Sequence, residues 1–85
     1  MFYVFALISQ VKRDFYIGSC RDLQLRYYQH NKGEVVSTKA FRSWIIVYYE
    51  AYKSKNDATV RERRLKMHAV KEELKSRLTY NFECA

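Results

Sequence analysis

The chain has 85 residues, of which 48% are hydrophobic, and its 16 Lys and Arg against 9 Asp and Glu give a net charge of +7. This length and apolar content predict one folded domain with a modest core, and they exclude a disordered tail. The positive charge indicates a polyanionic partner, with nucleic acid as the leading candidate and a solvated basic surface as the alternative.

The first predicted elements form a β-hairpin. Residues 2–9 are aromatic and β-branched, and their nearly continuous apolar run predicts a strand that is buried on both faces. A polar turn over residues 10–14 leads into a second strand over 14–18. The two strands are predicted to pair in antiparallel fashion, and Gly18 is expected to end the second one.

A helix and a third strand follow. The helix is predicted over residues 22–31, with Gly33 as its stop. Four of its side chains are expected to pack onto the sheet: Leu23, Leu25, Tyr27 and Tyr28. After a basic loop over 32–43, residues 44–52 are long, aromatic and β-branched, which predicts the central strand of the sheet.

Two further helices complete the predicted fold. Ser54 and Asp57 offer capping side chains for a helix that starts near Asp57. A last helix over about 69–79 carries an apolar stripe of Val70, Leu74 and Leu78, and residues 80–85 form a loose tail. The order ββαβαα predicts a single α+β domain over residues 1–79, a three-stranded antiparallel sheet flanked by helices.

The N-terminus and the cysteines indicate the cellular setting. No basic segment precedes the apolar residues 1–8 and no small-residue cleavage site follows them, so no signal peptide is expected. No segment is long enough to span a bilayer, so no membrane partner is expected. Cys20 and Cys84 form neither a CxxC motif nor a metal-binding spacing, which indicates free thiols in a cytoplasmic protein.

Three polar side chains in residues 16–31 are expected to converge. Arg26 and His30 are four residues apart and share one face of the predicted helix, and Tyr16 lies at the end of the strand that leads into it. A phenol, a guanidinium and an imidazole can together orient water and stabilise negative charge on a phosphate. This combination suits the cleavage of phosphodiester bonds.

The same segment resembles a known family. Its residues follow the pattern YIG…DL..R…HN with Tyr16-Ile17-Gly18, Asp22-Leu23, Arg26 and His30-Asn31. This pattern is similar to that of the GIY-YIG nucleases, above all the small stand-alone bacterial members related to the nuclease domain of the UvrC excision-repair subunit. The resemblance covers roughly residues 2–78, and it implies the same ββαβαα fold and a metal-dependent DNA endonuclease.

The resemblance also implies catalytic roles. Tyr16 would orient or deprotonate the attacking water, Arg26 would clamp the phosphate, and His30 would share a proton with Tyr16. Each residue also has an ordinary structural alternative. These alternatives are a core tyrosine, a surface arginine, and a histidine stabilised by the dipole at the helix C-terminus.

Glu62 is the candidate metal ligand. It is the one acid in the run Arg61-Glu62-Arg63-Arg64, where its carboxylate is expected to stay ionised. Residues 58–66 are similar to the family pattern ALRREK.LK, whose Glu holds the catalytic metal, so the resemblance implies Mg²⁺ or Mn²⁺ on Glu62. The alternative is a surface Glu paired with its neighbouring arginines.

Basic residues around these positions are expected to contact phosphates along one rim. They are Lys32, Lys39, Arg42, Arg63, Arg64 and Lys66. Nothing in the chain resembles a module that reads bases, so low sequence specificity is expected.

Two departures from the family pattern leave other functions open. Phe5 ends the triplet that closes with Tyr in the family, and Ser19 stands where the excision-repair relatives have Lys. A catalytically silent nucleic-acid-binding module is therefore the second hypothesis. An interaction domain of a larger repair complex is the third, and a homo-oligomer is also compatible with the sequence.

Overall fold

The computed structural model describes residues 1–11 and 14–78. Within them, strands β1 (Phe2–Ser9), β2 (Phe15–Cys20) and β3 (Trp44–Tyr52) form one antiparallel sheet. The helices are α1 (Leu23–Lys32), α2 (Lys55–Leu65) and α3 (His68–Arg77), and a short 3-10 helix spans Lys39–Phe41. The predicted α+β fold with the order ββαβαα is confirmed. The predicted tail over 80–85, like Cys84, lies outside the described residues.

The central strand is β1, because the sheet order is β2-β1-β3. Residues 4–8 of β1 are at most 1% exposed, as their continuous apolar run predicts. The prediction that residues 44–52 form the central strand is wrong, since β3 is an edge strand. Both strands are rich in aromatic and β-branched residues, so their composition does not distinguish a central strand from an edge strand.

The sheet has a core on each face, because the side chains of β1 alternate. One core contains Val4, Ala6 and Ile8 with Phe15, Ile17, Ala58, Leu65 and Leu74, and the helices that cover it are α2 and α3. The other contains Phe5, Leu7 and Trp44, and α1 and the 3-10 helix cover it. We call these two sides of the sheet the α2 face and the α1 face.

A β-bulge in β3 decides which of its side chains reach the α2 face. Consecutive residues of β1 pair with Ile46 and Tyr48, which leaves Val47 as the extra residue. The alternation of side chains therefore shifts by one residue at this point. Tyr48, Glu50 and Tyr52 consequently lie on the α2 face.

Helix boundaries follow from caps. Gly33 ends α1 in the left-handed region at φ 79°, which confirms the predicted stop. Ser54 Oγ accepts the Asp57 N–H and caps α2, so this helix begins at Lys55, two residues before the predicted start. Helix α3 begins after Met67, a boundary that no Gly or Pro marks. No helix in residues 1–11 or 14–78 is long and apolar enough to cross a membrane.

Helix α1 packs through a narrower stripe than predicted. Leu23 and Tyr27 contact the core of the α1 face, but Leu25 and Tyr28 are 52% and 53% exposed, so the prediction for these two is wrong. At 3.6 residues per turn, residues 23 and 27 share one side of the helix with His30. Positions 25 and 28 point the other way, toward solvent.

Gly18 lies inside β2, opposite Phe5 of β1, and the strand continues to Cys20. The prediction that Gly18 ends the strand is therefore wrong. A Cβ built on Gly18 would lie 2.8 Å from Phe5 Cζ and 3.0 Å from Tyr16 Cε1. The missing side chain is what allows the Phe5 ring to lie against β2.

Gly18→Ala is expected to destabilise the domain by about 1–3 kcal/mol, because the buried Phe5 ring has to move away from the added methyl group. Urea unfolding measures this loss. Phe5→Leu removes the clashing ring atoms, so the double variant should lose less than the sum of the two single variants. An unchanged unfolding midpoint for Gly18→Ala would contradict the close contact.

Candidate active site

Tyr16 and His30 meet on the α1 face. Their ring centroids are 4.9 Å apart, and the Phe5 ring lies 6.3 Å from Tyr16 and 5.7 Å from His30. Tyr16 comes from β2 and His30 from the last turn of α1, so the packing of helix on strand brings the two rings together. The structure thus forms the expected pair, and the catalytic roles of its members stay predictions.

His30 is a neutral imidazole at neutral pH. It is fully buried, and burial together with the nearby Arg26 charge lowers its pKa to about 4. Its Nδ1 lies 2.7 Å from Thr38 Oγ1, and Thr38 Oγ1 also donates to the Val35 carbonyl at 3.4 Å.

The hydrogen bond from Thr38 to Val35, at 3.4 Å, favours one tautomer of His30. Because the Thr38 hydroxyl donates its hydrogen to Val35, its oxygen accepts from Nδ1–H of His30. Nε2 is then the unprotonated nitrogen and can accept a proton. In the part of the chain that the structure describes, this buried Nε2 has no hydrogen-bond partner.

Asn31 fixes the end of α1, and with it His30. Its Oδ1 accepts the Trp44 N–H at 2.6 Å, and its Nδ2 donates to the Trp44 carbonyl at 3.1 Å. The Trp44 indole in turn donates to the Thr38 carbonyl at 2.9 Å. The loop between α1 and β3 is therefore held around the imidazole by side-chain hydrogen bonds to the backbone.

Arg26 lies half-buried on α1 and has a free charge. Its Nη1 donates to Gln29 Oε1 at 3.2 Å, and among residues 1–11 and 14–78 no carboxylate forms an ion pair with it. Its charge acts on His30 and opposes the burial that raises the pKa of Cys20. An unpaired guanidinium beside Tyr16 and His30 suits an anionic ligand.

Glu62 lies on the opposite side of β2. The Ser19 hydroxyl donates to Glu62 Oε1 at 2.5 Å, and Lys66 Nζ lies 2.7 Å from Oε2. Tyr16 and Ser19 are three residues apart in a strand, so they point to opposite faces. The contacts therefore bring Tyr16 and His30 together on the α1 face and leave Glu62 on the α2 face. Because β2 is an edge strand, the two faces of the sheet meet at its open edge. Tyr16 and Glu62 therefore border the same edge from opposite faces.

The Glu62 carboxylate is ionised, as expected. Burial alone raises its pKa, but hydrogen bonds from Lys66 and Ser19 and the charges of Lys66 and Arg63 outweigh burial and lower it. Lys66 is its ion-pair partner, in place of the neighbouring arginines of the alternative hypothesis.

A single ionised carboxylate fits the way Mg²⁺ is commonly held, by one or two carboxylates together with water and substrate phosphate. The described residues contain no group of three or more His, Cys, Asp or Glu side chains that could hold a metal ion. Glu62 would therefore be the protein's main contribution to such a site. The Lys66 ammonium would have to leave Oε2 for a metal ion to bind there.

A network that sequence reasoning missed holds α2 onto β3. Arg61 donates to both oxygens of Glu50, at 2.9 and 3.0 Å, and the hydroxyls of Tyr48 and Tyr52 donate to the same carboxylate. Burial alone raises the pKa of Glu50, but these hydrogen bonds and the Arg61 charge lower it to about 2. The alternating Tyr-x-Glu-x-Tyr pattern of residues 48–52 was the available signal, because alternate strand residues share a face.

The same network positions Glu62. Val4 pairs with Ser19 on one side and with Glu50 on the other, so these three residues form one row across the sheet. Consecutive residues of α2 bind the two ends of this row, Arg61 at Glu50 and Glu62 at Ser19. The placement of Glu62 thus depends on the ion pair next to it.

The six basic residues expected along one rim form two groups. Lys32, Lys39 and Arg42 belong to α1 and the region of the 3-10 helix, on the α1 face, whereas Arg63, Arg64 and Lys66 belong to the end of α2. All six are exposed. A polyanion that contacts both groups would have to pass an edge of the sheet.

A model of the GIY-YIG catalytic domain matches residues 1–77 of the chain. The match spans every strand and helix described above, from β1 to the end of α3. Comparisons with curated proteins and with solved structures found no match.

Proposed function

The chain belongs to the family of GIY-YIG catalytic domains, whose members are endonucleases, and from this premise we propose that it hydrolyses phosphodiester bonds of DNA with Mg²⁺ or Mn²⁺ on Glu62. A nuclease-type function and a nucleic-acid substrate follow from the family. The observation that carries the proposal is the Tyr16–His30 pair, which lies close to an unpaired Arg26.

Tyr16 and His30 are suited to move a proton from the attacking water. A phenol with an ordinary pKa near 10 is a weak base at neutral pH. It therefore needs a neighbour that accepts its proton, and His30 Nε2 is unprotonated and unpartnered among the described residues. In this relay, Tyr16 contacts the attacking water and His30 receives the proton.

Arg26 links substrate binding to the basicity of His30. Its positive charge helps to keep the pKa of His30 low in the free protein. A phosphate bound to Arg26 offsets this charge, so the pKa of His30 rises while substrate is bound. The imidazole then becomes a better proton acceptor when the reaction requires one.

A divalent cation on Glu62 would polarise the phosphate and stabilise the leaving oxygen. The open edge of β2 supports the proposal, because Tyr16 and Glu62 flank it from the two faces of the sheet. The proposal has five further parts: DNA as the preferred substrate, low sequence specificity, a role in repair, a cytoplasmic location, and assembly into a repair complex or homo-oligomer. They rest on composition and on the resemblance of residues 16–31 to the excision-repair nucleases.

The test is a cleavage assay on plain, flapped and branched DNA, with RNA in parallel, in Mg²⁺, in Mn²⁺ and in EDTA. We expect cleavage of DNA with either metal and none in EDTA. Arg26→Ala should weaken both binding and cleavage, because it removes the group that contacts phosphate. Arg77→Ala removes the same charge from α3 and serves as the control. Cleavage that persists in EDTA, or equal effects of the two variants, would contradict the assignment.

A nucleic-acid-binding module without catalysis is the second candidate, and Phe5 is the observation that favours it. The side chain is buried against Gly18, Tyr16 and His30 and has no hydroxyl to hold water or phosphate. This candidate predicts binding to nucleic acid without metal-dependent cleavage.

Phe5→Tyr tests whether the missing hydroxyl matters. The new hydroxyl would sit on Cζ, the Phe5 ring atom that lies closest to Gly18, so we expect a folded protein with faster cleavage and a loss of about 1–3 kcal/mol where the hydroxyl has no partner. Urea unfolding and the cleavage rate are the measurements. A loss of about 3 kcal/mol with an unchanged rate would show that position 5 serves only the core.

A further inference from the structure

A pocket of about 450 Å³ lies on the α1 face, where α1 begins. Its lining comes from three elements: Tyr3 of β1, Tyr49 of β3, and the residues that lead into and open α1, namely Arg21, Asp22, Leu23 and Gln24. None of the candidate catalytic residues lines it. The pocket is therefore a feature of the sheet surface that the proposed chemistry does not use.

Two tyrosines form the floor of this pocket. Their ring centroids are 6.1 Å apart and the rings meet edge to face. Tyr49 is 56% exposed although it lies in a strand of a three-stranded sheet. Within residues 1–11 and 14–78, neither hydroxyl has a hydrogen-bond partner. Their aromatic surface is thus available to a flat ligand.

Charged and polar groups surround the aromatic floor. Arg21 lines the pocket, and its guanidinium lies 5.2 Å from the centre of the Phe2 ring, which packs on the α2 face, so the charge lies at the end of the sheet between the two faces. The Asp22 carboxylate accepts the Leu25 N–H as the cap of α1, so it is held in place beside the pocket. Gln24 contributes an amide. A phosphate is expected on the Arg21 side, because Asp22 repels it.

From this arrangement we infer that the pocket binds one unpaired nucleobase of a single-stranded segment, stacked on Tyr49, with its backbone phosphate at Arg21. Aromatic side chains on an open sheet surface are a common platform for bases, and stacking tolerates every base because each has a flat face. The net charge of +7 favours an anionic strand over an apolar ligand, and the exposed aromatic rings favour flat bases over the carboxylates of an acidic peptide. The identity of the ligand rests on the proposed function.

The pocket lies next to the candidate catalytic residues. Tyr49 pairs with Phe5, and Tyr3 is two residues from Phe5 along β1, whereas Tyr16 pairs with Leu7, four residues from Tyr3. At about 3.3 Å per residue, Tyr3 is about 7 Å along the sheet from Phe5 and about 13 Å from the row of Tyr16. The Arg26 charge acts on Cys20, the strand partner of Tyr3, so a base next to a phosphate held by Arg26 can reach this pocket. Single-stranded flaps or loops, rather than continuous duplex, are the class of substrate that this geometry favours.

Tyr49→Ala tests the inference, with Tyr49→Phe and Tyr28→Ala as controls. Tyr49→Phe keeps the ring, and Tyr28 is an equally exposed tyrosine outside the pocket. The dissociation constants of a labelled single-stranded oligonucleotide and of a duplex of the same sequence are measured by fluorescence anisotropy. We expect Tyr49→Ala to weaken single-strand binding by about tenfold, with duplex binding unchanged and both controls close to wild type.

The inference would be overturned if Tyr49→Ala lost equal affinity for single strand and duplex, or if it lost no more affinity for the single strand than Tyr28→Ala. NMR provides a second readout that needs no variant, because the ring signals of Tyr3 and Tyr49 must shift when the single strand is added to the wild-type protein. Unmoved ring signals would overturn it as well. Single-strand binding that depends on Tyr49, without any cleavage, would support the pocket and refute the proposed nuclease. A failure of the pocket can therefore be distinguished from a failure of the proposed function.

Discussion

Glu62→Gln is expected to reduce metal-dependent cleavage by a factor on the order of 100 while the domain stays folded. The change removes the negative charge but keeps the shape of the side chain, and an amide oxygen can still accept the Ser19 hydroxyl. A site built on one carboxylate should lose its metal with that charge. The size of the effect is that of removing a main electrostatic group from an active site.

The control for Glu62→Gln is Glu73→Gln. Both residues pair with a basic residue four positions later, Lys66 for Glu62 and Arg77 for Glu73, so each substitution breaks the same kind of ion pair. Only the change at Glu62 should affect cleavage. DNA binding should persist or tighten, because a negative charge leaves a basic surface. A Glu62→Gln protein that melts earlier but cuts at the wild-type rate would show that the metal assignment is wrong.

Glu50→Gln is expected to produce the largest loss of stability, about 2–3 kcal/mol at neutral pH. The Glu50 and Arg61 side chains are 17% and 32% exposed, and the substitution leaves the Arg61 charge without its partner. The partial exposure of Arg61 reduces the loss below that of a fully buried pair. For a domain of this size, thermal unfolding should shift down by roughly 10 °C or more.

The same substitution should change the dependence of stability on pH. The folded-state pKa of Glu50 is about 2, against an ordinary value of 4.5, so its contribution is fully present above pH 4.5 and is lost as the pH falls toward 2. Glu62, whose pKa is also lowered, contributes with the same sign. Urea unfolding at pH 7, 4.5 and 3 should therefore show that the free energy of unfolding falls less steeply toward acid pH for Glu50→Gln than for the wild-type protein. Glu72→Gln, at an exposed ion pair, should retain the wild-type slope, and identical slopes in all three proteins would refute the Glu50 network.

The elements that depend on neighbouring residues could be predicted from the amino-acid sequence. The continuous apolar run of residues 2–9 predicts a strand with two buried faces, and Gly33 predicts the end of α1 because it tolerates a positive φ. The pattern of residues 16–31 predicted that Tyr16 and His30 would meet, because only two residues separate β2 from α1. These results hold because the positions of side chains along one strand or one helix follow from its own periodicity.

The relations between elements depend on contacts that form only in the folded chain. Strand order made β1 central and β3 an edge, and the bulge at Val47 turned Glu50 toward Arg61. The opposite faces of β2 separated Glu62 from Tyr16, although both belong to the same family pattern. Pairing between distant strands and the insertion of one residue into a ladder depend on contacts far apart in the chain, which local periodicity does not encode.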